Sequence, residues 1–159
     1  MKIQIFLYTL TLTLILTSCT KDAQDIHDFS KYQVFTIPKT LRENTVLSIT
    51  AEQHKDFIIK VRGNPTTGYS IRLKNEVSQL TATNVVKATN LNANGGTDDY
   101  IVDNHENGMV GVPGFYYFKF RTENEGQETL LFSNERVWDT SDAVELKVNL
   151  TVLKSESRN

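Results

Sequence analysis

Residues 144–152 read Val-Glu-Leu-Lys-Val-Asn-Leu-Thr-Val, with an apolar residue at every second position and a charged or polar one between. Successive side chains of a strand point to opposite faces, so this alternation marks a strand with one face buried and the other in water. Phe115-Tyr116-Tyr117-Phe118 alternates in the same way, with Phe115 and Tyr117 on one face and Tyr116 and Phe118 on the other. Outward from these two stretches the chain is a series of short β-type runs: QVFTI (33–37), TVLSITA (45–51), FIIKVR (57–62), YSIRL (69–73), QLTATNVVKA (79–88), FYYFKFRT (115–122), ETLLFSN (128–134) and AVELKVNLTVL (143–153). Turn formers such as Asn64-Pro65, Asn94-Gly95-Gly96 and Glu125-Gly126 separate several of them, and no segment after residue 32 carries a helical period. The expected fold is all-β, an immunoglobulin-like β-sandwich of seven or eight strands; a closed barrel is the alternative that periodicity leaves open.

The chain has 159 residues, 39% of them hydrophobic, which suits one domain with its own core. Its net charge of −2 comes without a basic stripe, which excludes nucleic acid as the expected partner. The N-terminus differs in kind. Lys2 precedes an uncharged apolar run over residues 3–18, IQIFLYTLTLTLILTS, the pattern of a signal peptide. The run is shorter than the roughly 20 residues that span a bilayer. It ends Leu16-Thr17-Ser18-Cys19, which resembles a bacterial lipobox, where cleavage falls before the Cys and its thiol is lipidated. The alternative is an ordinary cleavage site beside an incidental Cys19. The expected organisation is a signal peptide over 1–18, a lipidated Cys19 with a polar tether to residue 35, a domain over 36–155 and a polar tail over 156–159. Such a protein is exported: a periplasmic or cell-surface lipoprotein in a bacterium, otherwise secreted or endolysosomal. It touches a membrane only through its anchor. With a single Cys no disulfide can form within the chain, and stability rests on the core.

Signatures of catalysis are missing. His27, His54 and His105 show no metal-ligand spacing, Cys19 is expected to be acylated and so unavailable as a nucleophile, and neither a G-x-S-x-G elbow nor a phosphate-cradling glycine loop occurs. A non-enzyme without cofactor is expected. In DDYIVDNHENG (98–108), Asp103, Asn107 and Gly108 occupy positions 1, 5 and 6 of an EF-hand loop. His105 stands at position 3, however, and Gly114 at position 12, where a bidentate Glu belongs. An acidic solvated loop without metal fits better. The sequon Asn149-Leu150-Thr151 falls inside the most regular strand and is ascribed to chance.

Three connections remain. In GNPTTGY (63–69), Pro65 fixes its own φ and biases Asn64 to an extended conformation, and Asn-Pro suits a type I turn. Gly68 supplies backbone freedom before Tyr69 begins a strand. The stretch forms a stiff corner with Thr66 and Thr67 at its apex. Gly108-Met109-Val110-Gly111-Val112-Pro113-Gly114 lets the backbone run close to another surface. Arg136-Val137-Trp138 puts the only Trp on a loop, either as a cap on the core or as an interface anchor.

Taken in order, these stretches resemble the chagasin-type inhibitors of papain-like cysteine peptidases. The family pattern is N-P-T-T-G-Y, then a glycine-rich G-x-G/P-G before an aromatic-rich strand, then R-P-W. The matching residues are Asn64, Pro65, Thr66, Thr67, Gly68 and Tyr69; Gly111, Val112, Pro113 and Gly114; and Arg136, Val137 and Trp138. All six positions of the first motif match, and the likeness runs over residues 40–153. The resemblance implies three inhibitory loops at one end of an immunoglobulin-like sandwich. The first would enter the cleft with Thr66 nearest the catalytic cysteine, the second would run along the non-primed side, and Trp138 would pack on the primed side. It implies a monomeric, reversible inhibitor of papain or cathepsin L-like enzymes. Val137 departs from the family's Pro, and residues 84–108 make a longer, acidic approach to the second loop. The competing expectation is an immunoglobulin-like adhesion module that binds a glycan or protein; loops at opposite ends of the sandwich would favour it.

Overall fold

The structure is a computed structural model and describes residues 29–37, 39–75, 77–102 and 111–155. The leader, Cys19, His27, residues 103–110 and the tail 156–159 lie outside the described residues. One sheet carries β1 (Gln33–Ile37), β3 (Asp56–Gly63), β7 (Gly114–Thr122) and β5 (Val86–Ala88) in that order, with β6 (Tyr100–Val102) also paired to β7. The second carries β2 (Thr45–Glu52), β9 (Asp139–Leu153), β8 (Gly126–Arg136) and β4 (Tyr69–Leu73). The result is an immunoglobulin-like sandwich of two sheets, not a closed barrel.

The alternating residues do what period two requires. Leu146, Val148, Leu150 and Val152 of β9 are buried, as are Phe57, Ile59 and Val61 of β3 and Tyr116, Phe118 and Phe120 of β7. Phe118 meets Phe132 of β8 edge-on across the gap, with ring centroids 4.9 Å apart, an arrangement that suits the aromatic quadrupole.

Four expectations need correction. The run 79–88 is not one strand: Val77–Thr83 forms a short helix, α1, and only Val86–Ala88 is extended. α1 sinks Leu80 into the core, and a helix of two turns is too short to write a readable period. The threonine hydroxyl of Thr83 donates to the Leu80 carbonyl at 3.1 Å, and Asn84, at φ +51, ends the helix in the left-handed region. Second, the acidic segment 98–108 is not wholly a solvated loop, because Tyr100-Ile101-Val102 is a β-forming run that pairs antiparallel with β7. Third, nine strands stand where seven or eight were expected, since β6 adds one. Fourth, packing begins before residue 36: β1 pairs parallel with β3 from Gln33, and Phe29 stacks on Tyr117 at 4.4 Å between centroids. That stack covers Tyr117, which points to the outer face and is nonetheless buried.

Near the end of β8, Glu135 is buried and held by Lys74 Nζ at 3.1 Å and by the Ser133 hydroxyl at 2.8 Å. Burial alone would raise its pKa. The hydrogen bonds from Ser133 and Lys74, with the charges of Lys74 and Arg72, outweigh burial and hold the carboxyl below 4.5. A carboxylate whose folded pKa lies below its unfolded value stabilises the fold above the unfolded pKa, and that contribution is lost as pH falls through the folded one. Melting temperature should therefore decline as pH drops below about 4.5. Glu135→Gln should melt lower than the wild type at neutral pH but show a shallower acid decline; parallel declines in the two proteins would refute the assignment.

Candidate functional site

Strand registers bring the three loops to one level. Gly63 at the end of β3 lies opposite Gly114 at the start of β7, and Tyr69 at the start of β4 lies opposite Arg136 at the end of β8. Arg136 in turn pairs with Asp139 of β9 across the Val137-Trp138 turn. Loop 1 (64–68), the 111–113 part of loop 2 and loop 3 (137–138) thus leave the sandwich from the same end.

Loop 1 is a 3-10 turn over Pro65–Thr67. Asn64 is extended (φ −144, ψ 97) as the following proline demands, and Gly68 sits at φ +82, a region open to glycine. The Asn64 Oδ1 accepts from the Thr66 amide at 3.1 Å and from the Thr66 hydroxyl at 2.6 Å. Its carbonyl accepts from the Thr67 amide at 3.2 Å and from the Thr67 hydroxyl at 2.6 Å. The Pro65 carbonyl accepts from Gly68 N at 3.0 Å. Every one of these bonds lies within the loop, so Pro65, Thr66 and Thr67 stand exposed on a turn that needs no partner for its shape.

The loops also hold one another. Asn64 Nδ2 donates to the Gly111 carbonyl at 2.8 Å, tying loop 1 to loop 2, where Gly111 has φ +86. The Trp138 ring lies across Gly68: a Cβ there would come 2.6 Å from Cη2. Trp138 is nonetheless 73% exposed and Val137 60% exposed, so the Trp is not a cap on the core. Arg136 does not face outward as a free cation. Its guanidinium lies over the Tyr69 ring at 4.6 Å and pairs with Asp142 at 3.5 Å, and the Tyr69 hydroxyl donates to the same carboxylate. That hydrogen bond, then burial and the Asp142 charge, hold the Tyr69 hydroxyl above 10.0 against the pull of Arg136. Beyond the turn, Asp139 Oδ1 accepts from the Ser141 hydroxyl at 2.6 Å and the Ser141 amide at 3.0 Å. These bonds, with the Arg136 charge, hold its carboxyl below the usual aspartate range. Loop 3 is thereby braced on both flanks without a proline at position 137.

All thirteen expected site residues fall at this end, with Asn64, Tyr69 and Arg136 acting within the scaffold. Asp142 and Tyr100 were not anticipated, and Gly63, though it opens the GNPTTGY stretch, was assigned no role. A Cβ on Gly63 would come 2.6 Å from the Tyr116 ring, and one on Gly114 would come 2.3 Å from the Ile101 carbonyl, so both glycines permit close approach. The Tyr100 hydroxyl reaches the carbonyls of Gly63 and Val112, each at 3.4 Å. Asp142 carries no motif; it lies in β9 beyond the point where the β8–β9 register shifts between Asn134 and Arg136.

Gly68→Ala should cost about 1–2 kcal/mol in stability from the left-handed backbone alone and push the indole aside. Because Trp138 is the only tryptophan, its fluorescence maximum reports the displacement directly. An unchanged spectrum would mean the ring does not rest on Gly68.

Residues 50–152 match the family described as Chagasin family peptidase inhibitor I42. Amoebiasin-1 of Entamoeba histolytica is 30% identical over 95 residues, which are 60% of this chain and 76% of that protein. The cysteine protease inhibitor EhICP2 of Entamoeba histolytica superimposes with a TM-score of 0.52 at 18% identity, covering 77% of this chain and 96% of its own. PbICP-C, solved in complex with falcipain-2, gives a TM-score of 0.50 at 15% identity over 76% of this chain and 99% of its own. The two structural likenesses speak for the fold.

Proposed function

The chain belongs to the chagasin family of peptidase inhibitors, and from that premise we propose that it is a reversible inhibitor of papain-like cysteine peptidases that fills the active-site cleft with loops 1, 2 and 3. The observation that carries this is the mutual bonding of the three loops at one end: Asn64 to Gly111, and Trp138 across Gly68. A gathered set favours one concave partner over an adhesion module with scattered contacts. The family is one of inhibitors, and the chain is not read as an enzyme.

The wedge resists cleavage for a geometric reason. A peptidase acylates a substrate whose carbonyl stands in near-attack geometry. Loop 1 is a 3-10 turn whose Asn64 and Pro65 carbonyls are engaged inside the loop. The thiolate beside Thr66 would therefore meet a hydroxyl and a turned backbone. Because the loop is stiff before binding, association loses little conformational entropy, which favours tight, non-covalent inhibition. In this reading Thr66 is the tip, Gly111, Val112, Pro113 and Gly114 offer main-chain contacts, and Trp138 is the anchor on the far side.

The export reading rests on sequence alone: the apolar run 3–18 and Cys19 support a lipid-anchored inhibitor outside the cytoplasm. A palmitate label on the wild type but not on Cys19→Ala, expressed in a bacterial host, would test it.

Purified protein should inhibit papain or a cathepsin L-like enzyme at one-to-one stoichiometry and be recovered uncleaved. Trp138→Ala should cost about 2 kcal/mol, roughly 30-fold in Ki, and Thr66→Glu should weaken binding at least as much. Folded protein without inhibition at micromolar concentration across a panel of such peptidases would overturn the proposal.

A further inference from the structure

A fourth connection shares the inhibitory end. β1 runs parallel to β3 and ends at Ile37, opposite Val61, two residues below Gly63. β2 runs parallel to β9, so it too starts from the end at which Asp139 begins β9. The crossover between the two sheets, with Lys39–Asn44 described, must therefore pass over the end that carries the three loops. It flanks a hollow of about 470 Å³, lined by Thr40, Leu41 and Arg42 on one side and by Asn64, Thr67, Tyr69 and Pro113 of loops 1 and 2, among others.

The crossover is fixed at several points. Leu41 is buried in the core, and its carbonyl accepts from Asn134 Nδ2 at 3.3 Å. Asn44 Oδ1 accepts from the Glu145 amide at 2.9 Å, and the Glu43 carbonyl accepts from the Thr45 hydroxyl at 3.0 Å. Between these pins stands Arg42, exposed and, among the described residues, without hydrogen bond or ion pair. Of the three charged residues on the crossover, Lys39, Arg42 and Glu43, only Arg42 lines the hollow. The nearby Asp142, which also lines it, is engaged by Arg136 and Tyr69. Arginine on a rigid support, beside a recess and with its donors unspent, is suited to bidentate capture of a carboxylate.

We propose that the crossover Lys39–Asn44 is a fourth peptidase-contacting element, in which Arg42 takes an acidic side chain on the rim of the peptidase cleft. The argument for that occupant is continuity with the three-loop surface and complementarity to the one free cation among the residues lining the hollow. This inference rests on the reading of this end as the peptidase-binding end. The contact selects among peptidases: those with an Asp or Glu on the facing rim gain from it, and those without do not.

The test measures Ki and association rate for wild type, Arg42→Ala, Arg42→Lys and Arg42→Glu against a set of papain-like peptidases of known structure. Arg42→Ala should raise Ki by about threefold and Arg42→Glu by about tenfold against peptidases with an acidic rim, chiefly through the association rate, with Arg42→Lys between wild type and Ala. The differences should shrink in about 0.5 M NaCl, where screening shortens to a few ångströms. Melting temperatures should be equal, since Arg42 has no partner among the described residues. Replacing the rim carboxylate of one sensitive peptidase by Lys should restore tight binding to Arg42→Glu. Equal Ki for all four proteins while Thr66→Glu weakens binding would overturn the fourth contact and leave the three-loop reading standing. Absence of inhibition by the wild type would overturn both.

Discussion

The registers that set Gly63 opposite Gly114 and Tyr69 opposite Arg136 are the constraint on which the rest depends. They start and stop three connections at a single level. A slip of one residue in either pair would turn Phe118 or Phe132 toward solvent, so the core enforces the alignment that function needs. The aromatic contact between Phe118 and Phe132 across the two sheets is thus also what keeps the loops abreast.

Given that alignment, short polar contacts complete the surface. One side chain, Asn64, shapes loop 1 through Oδ1 and binds loop 2 through Nδ2, which is why asparagine and not aspartate suits the position: the carboxylate lacks the donor. Asp142 of β9 gathers Tyr69 from β4 and Arg136 from β8. These bonds are exposed and individually weak in water. Their value lies in limiting the conformations that binding would otherwise have to select.

Much of the sandwich was legible in the sequence because one-sided burial writes itself as period two, and the runs around Val144–Val152 and Phe115–Phe118 carry it plainly. The short elements were not. In α1 a two-turn helix with two threonines reads as strand, since β-branched residues favour extension, and the tertiary site for Leu80 favours the helix. In β6 three apolar residues between acids read as loop, because pairing with an edge of β7 is a property of the fold and not of the segment.

The same division runs through the candidate site. Local sequence determined the corner itself: proline fixed the approach of Asn64, glycine allowed φ +82 at residue 68, and the Asn and Thr side chains closed the turn on themselves. These are interactions within a few residues, and they hold wherever the segment is placed. Only the tertiary structure decided that Trp138 stands exposed across Gly68, that Arg136 is spent on Asp142 and Tyr69, and that Arg42 has no partner among the described residues. Each of those outcomes depends on residues far apart in the chain, brought to one end by strand register, and no local pattern can encode which side chains will meet there.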